Sequence, residues 1–219
     1  MESHPVPIVR YEDMESRLRT GDIILFRGVS RRSRMIEMAT ESAFSHVGMV
    51  VRSNDAASPL LWHTDPRAVT KDVADGGTHR GAQLNDLGSA LARMTSPEYG
   101  DTPYVRQLQA ERTPEMDVAV QHAIALANDV AFPSLARIVK DWLLGHLRIA
   151  TTERYMECAE LVAFTYQQMG LMSREPPPNA YLPNNFSDRM KLPLLNGATL
   201  GTQVGIQWTG AVERPTAPA

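Results

Sequence analysis

The side chain best suited to covalent chemistry in this sequence is its single cysteine, Cys158, set in the run MECAELV. A cysteine at a helix start faces unpaired amides and the positive end of the helix dipole, and both favour the nucleophilic thiolate over the thiol. Such a nucleophile works with a histidine base that a third polar group orients. His46 opens the apolar run HVGMVV directly after Ser45, and His63 lies in LLWHT, which reads as a neighbouring strand. Two paired strands would bring these imidazoles within a hydrogen bond of each other. Each residue also has an ordinary reading. A lone buried cysteine packs as a small hydrophobe, and a strand-end histidine bonds to backbone. Zinc on Cys158, His46, His63 and His79 is disfavoured, because no pair shows the short ligand spacing of zinc sites, so neither metal nor cofactor is expected.

The elements that must position these residues form two halves. Gly21 and Asp22 supply a turn, and Ile23 to Phe26 form a short buried strand closed by Gly28. Ser30 or Ser33 is placed to cap a helix that carries Met35, Ile36, Met38 and Ala39 and ends near Glu41. The strands at His46 to Val51 and Leu60 to Thr64 predict a hairpin, with His46, Gly48 and Val50 on one face. An exposed, turn-rich excursion from Thr70 to Arg80 leads to a strand at Ala82 to Leu84, a helix over Ser89 to Met94 and a strand from Tyr104 to Leu108. The second half is helical. Thr113 before Pro114 marks a helix start, running to about Asp129, and a second apolar helix covers Leu135 to Ile149. The cysteine helix presents Cys158, Leu161, Val162, Thr165 and Met169 as one stripe and ends at Gly170 in a left-handed cap. Glu175 to Asn185 is a proline-punctuated loop, and Arg214 to Ala219 reads as a disordered tail after a single domain over 1–213.

Composition narrows the function classes. The 219 residues, 43% hydrophobic, suffice for one domain with a core that needs no disulfide. A net charge of −3 leaves no electrostatic footprint for nucleic acid, and the basic knot of Arg27, Arg31, Arg32 and Arg34 reads as a solvated rim beside Glu37 and Glu41. The acidic N-terminus lacks the apolar stretch of a secretory signal, and no run reaches the ~20 apolar residues of a membrane span, which points to a cytoplasmic protein. Peripheral membrane contact stays open, although no lysine-rich amphipathic helix stands out.

Four segments carry a resemblance: LRTGDIILF from Leu18, FSHVGMVV from Phe44, LLWH from Leu60, and MECAELVAFTYQQMGL from Met156, with GAQLNDL from Gly81 in support. In this order the chain resembles the circularly permuted branch of the NlpC-type papain-like cysteine hydrolases, which includes YiiX-like bacterial proteins, lecithin retinol acyltransferase-like enzymes and some poxvirus proteins. The resemblance implies an α+β fold, an antiparallel sheet packed against helices, with the histidine strand preceding the cysteine helix. It implies Cys158 as nucleophile facing His46 as base, with His63 as the third member, acting on an amide or ester through a thioester. Where the family commonly has tyrosine before the Ser-His pair this chain has Phe44, so the oxyanion donor expected is the backbone amide of Cys158. Arg27 to Arg34, the Thr70 to Arg80 loop and Pro176 to Asn185 are candidate walls of the cleft. A soluble amide or peptide ranks slightly above a lipid ester as substrate, and a non-catalytic binding module on the same fold is the rival from another class.

Overall fold

The computed structural model describes residues 6–28, 43–53, 56–128, 130–151 and 154–210. The helix expected between Ser30 and Glu41 and the C-terminal tail lie outside these residues. The described chain is α+β, a mostly antiparallel sheet packed against helices. Seven strands form the main sheet: β1 (Ile8–Arg10), β2 (Ile23–Arg27), β3 (His46–Val51), β4 (Leu60–Asp65), β5 (Gly81–Asp86), β6 (Thr102–Arg106) and β9 (Val204–Gln207). Their order across the sheet is β1-β9-β6-β2-β3-β4-β5, antiparallel throughout except for the parallel β1–β9 pair. A separate ribbon pairs β7 (Leu108–Gln109) with β8 (Thr199–Leu200), so the strand expected over Tyr104 to Leu108 is broken at Gln107.

Helices cover both faces because both faces are apolar. Ile24, Phe26, Val50, Leu61 and Val105 pack with Tyr11 and Met14 of α1 (Tyr11–Met14) and with Leu87, Ala90, Leu91 and Met94 of α2 (Leu87–Met94). On the opposite face Ile23, Leu25, Val47, Met49, Val51 and Trp62 meet α3 (Pro114–Ala127) and α5 (Cys158–Gln168). Between these two helices in the chain lies α4 (Leu135–His146), which ends one turn short of the expected Ile149. Thr113 caps α3 through the Met116 amide, as the sequence predicts, and Ser134 caps α4 through the Arg137 amide.

Helix α5 is central, and every residue from Cys158 to Tyr166 is buried, so the anticipated stripe is part of a fully enclosed element. Two long-range hydrogen bonds orient it. Trp62 Nε1 of β4 donates to Thr165 Oγ1 at 3.1 Å, and Tyr166 Oη donates to the Gly21 carbonyl at 2.5 Å. The helix ends at Gly170, whose φ of 71° is the left-handed conformation expected there. The proline-punctuated segment after it is more ordered than a loop, with two 3₁₀ turns at Pro178–Ala180 and Pro183–Phe186. Asn179 on the first turn is buried and donates to the carbonyls of Asp141 and Ile149, which pins the end of α4 beside α5.

Candidate active site

The β3–β4 hairpin places Met49 opposite Trp62, which puts Gly48 beside His63 on the neighbouring strand. Glycine is required at that position, because a Cβ on Gly48 would lie 2.7 Å from Leu61 Cδ1 and 3.1 Å from His63 Cβ. With that space open, His63 lies wholly buried and its Nδ1 is 2.8 Å from His46 Nε2. The pairing of imidazoles expected from the two strands is therefore present. On its far side His63 Nε2 is 2.7 Å from Asn85 Oδ1 of β5, a partner that the sequence reading did not single out. The signal for it was the polar alternation along β5 of Gln83, which pairs with His63, and Asn85.

This chain has a direction. The Asn85 amide nitrogen donates to the Lys71 carbonyl at 3.0 Å and to Gln83 Oε1 at 3.1 Å, so its oxygen must accept from His63 Nε2–H. His63 Nδ1 is then an acceptor, His46 Nε2 carries a hydrogen and donates to it, and the basic nitrogen left on His46 is Nδ1. Burial holds both imidazoles neutral, pulling His46 well below the usual histidine range with help from His63 and Arg93, and His63 downward despite the opposing Asp65 and Asn85. Arg93 sits here because its guanidinium pairs with the buried Asp65 at the end of β4. The Thr70 to Arg80 segment, expected as an exposed excursion, supports the same chain. Its buried Asp72 accepts from the Leu84 amide at 3.2 Å, and its Lys71 carbonyl holds Asn85.

Cys158 reaches the same strand from the other side. It is the first residue of α5, 4% exposed, and the backbone amide of Val47, the residue after His46, favours charge on its sulfur. Strand alternation turns Val47 toward α5 and His46 toward Phe26 and His63. Hence no hydrogen bond joins Cys158 to His46. The thiol donates instead to Glu157 Oε2 at 3.2 Å.

Glu157 is the residue that the sequence reading missed. It is the N-cap of α5, 9% exposed, and its Oε1 accepts from the Glu160 amide at 3.0 Å. Polar N-caps take up the free amides of a first turn. Against the thiolate that a helix start favours, burial first, then the Glu157 charge, push the Cys158 thiol well above its ordinary value, and the Val47 and Ala159 amides do not offset them. Burial raises Glu157 to about 7 and, with Glu157 as neighbour, Glu160 to about 8. Phe44, in place of the tyrosine, packs edge-on against Tyr104 with ring centroids 5.7 Å apart.

His79 is apart from this site and bonds to Asp72 at 2.8 Å. Among the described residues Asp72, Asp75 and His79 form the group whose ligand atoms, within 4.8 Å of one another, would suit a cation. Their oxygens are already engaged, Asp72 Oδ1 by the Ala74 and Leu84 amides and Oδ2 by His79.

No protein-family model matches the sequence, and no curated protein does. Among solved structures, the chain is similar to the crystal structure of the metalloprotein yiiX from Escherichia coli O157:H7, at 21% identity and a TM-score of 0.45, over 69% of this chain. The chain spans 66% of that protein's length, just under two thirds. Among the described residues no helix is long and apolar enough to cross a membrane.

Proposed function

We propose that the protein is a cysteine-dependent hydrolase or acyltransferase that forms a thioester on Cys158 with an amide or ester substrate. The observation that carries this reading is the directed chain Asn85–His63–His46, which ends on β3, the strand whose next residue, Val47, lies in the same buried cluster as Cys158. A polar chain buried between strands is costly unless every member is satisfied, and this one is satisfied in a single orientation that leaves His46 Nδ1 basic. A neutral imidazole and a thiol form the resting pair. In the first step His46 takes the Cys158 proton as the sulfur attacks the acyl carbon, and the imidazolium then protonates the leaving amine or alcohol. Water or a second acceptor releases the acyl group with His46 again as base. Because His46 lies on the His63 side of β3 and Cys158 on the α5 side, this reading requires the His46 ring to turn toward the sulfur when substrate binds.

The substrate class has two candidates. A soluble amide or peptide fits the polar Glu157–Glu160 surroundings of the sulfur. A lipid ester is favoured by one observation: Leu143, Leu147 and Ile149 stand 53%, 70% and 49% exposed at the end of α4, which Asn179 ties to the cysteine helix. The test is turnover of peptide amides and of acyl esters, with and without phospholipid vesicles, by the wild type and Cys158→Ser. Turnover that Cys158→Ser abolishes is expected; turnover equal in both proteins, or none across the panel, argues for the non-catalytic module.

A further inference from the structure

The hydrogen bond that the Cys158 thiol makes is to a carboxylate, and that carboxylate also caps the helix by accepting from the Glu160 amide. Resting on the reading above, we infer that Glu157 holds the nucleophile latent: its carboxylate keeps Cys158 as a thiol, and it must be neutralised or displaced before the sulfur can attack. A negative charge 3.2 Å from the sulfur opposes a second one there, whatever the polarity of the helix. Proton transfer from Sγ to Oε2 would relieve it, breaking the S–H bond, forming an O–H bond and leaving one negative charge on sulfur beside the Val47 amide.

The groups facing this pair leave Glu157 uncompensated. Glu160 lies one turn along α5, with Thr151 donating to it at 3.3 Å, and Asp141 of α4 adds to the negative charge around Glu160. Arg137 of α4 pairs with Asp141 at 3.1 Å. From β3 the contribution is the Val47 amide, which carries no charge. Among the described residues no lysine or arginine forms an ion pair with Glu157 or Glu160.

The test is labelling of Cys158 by iodoacetamide in the full chain from pH 5 to 9, read by mass spectrometry, for the wild type, Glu157→Gln, Glu157→Ser and Glu157→Asp. Glutamine and serine remove the charge, and serine is itself a good N-cap, so one neutral variant keeps the helix start even if the other disturbs it. Both neutral variants should label at least tenfold faster than the wild type at pH 9, where Glu157 is charged, and converge with it near pH 6, where the Glu157 carboxyl is itself protonated, while Glu157→Asp stays within about threefold of the wild type. Labelling of a folded neutral variant at pH 9 that is as slow as the wild type or slower overturns the inference, as does Glu157→Asp labelling as fast as Glu157→Gln there. Labelling reads sulfur ionisation and not turnover. The difference therefore persists with His46→Ala in the background and in a protein that fails every substrate assay, which separates this inference from the catalytic reading.

Discussion

The two sides of β3 treat ionisable groups in opposite ways. On the α2 side, burial pulls His46 and His63 down and keeps them neutral in a directed chain anchored at Asn85. On the α5 side, burial pushes Glu157 to about 7, Glu160 to about 8 and the Cys158 thiol well above its ordinary value. The same physical cause, removal from water, disfavours charge on both sides. A thiol and a neutral imidazole at rest differ from the preformed thiolate–imidazolium pair that a helix-start cysteine suggests. In the proposed mechanism the site stores its base and its nucleophile in their uncharged forms, and the chemistry waits on a proton movement.

The sharpest way to break the contrast is at His63. Replacement by alanine leaves His46 Nε2 without its acceptor and frees the imidazole to turn. Turnover should fall about 10²-fold or more, and the acid limb of the rate profile should move as His46 loses its neighbour. A parallel Asn85→Ala variant should lose less, since it removes only the orienting end of the chain. Equal loss without a change in the pH profile would mark His63 as a packing residue.

The contrast also sets how stability depends on pH. Glu157 and Glu160 have folded values above the 4.5 of a free glutamate, so the folded protein binds more protons than the unfolded chain between about 4.5 and 8. Their contribution is fully present below 4.5 and is lost as pH rises through about 7 and 8. The imidazoles work the other way. Their depressed folded values mean that stability grows as pH rises toward the ordinary histidine value of 6.5. Thermal unfolding should thus show a maximum in mildly acidic to neutral solution. Glu160→Gln should flatten the alkaline side by an amount on the order of 1–3 kcal/mol between pH 6 and 9; an unchanged alkaline slope would show that Glu160 is not the group titrating.

Much of the frame was legible because it depends on local pattern. The paired strands, the Thr113 cap and the Gly170 stop each follow from residues within a few positions of one another, and the His46–His63 contact follows from strand pairing. What escaped depends on distant chain. The pairing of β1 with β9 joins Ile8 to Gly205, and neither short strand carries a periodic signal of its own. Asn85 gains meaning only once β5 lies beside His63, and Glu157 reads as an ordinary acidic N-cap until the fold closes over it. The helix-start rule for cysteine was sound as far as it went, but it takes no account of a carboxylate at the N-cap that accepts the thiol's own hydrogen bond and the Glu160 amide.

The central claim is that Cys158 becomes acylated with His46 as its base. The most direct measurement is rapid-quench mass spectrometry of the protein after mixing with a p-nitrophenyl acyl ester, localising the added mass by peptide mapping. The expected result is a thioester on the Cys158 peptide in the wild type, none on that peptide in Cys158→Ala, and formation slowed at least 10²-fold in His46→Ala. A folded wild type that releases nitrophenol with no adduct on Cys158, or that acylates at the same rate without His46, would contradict it.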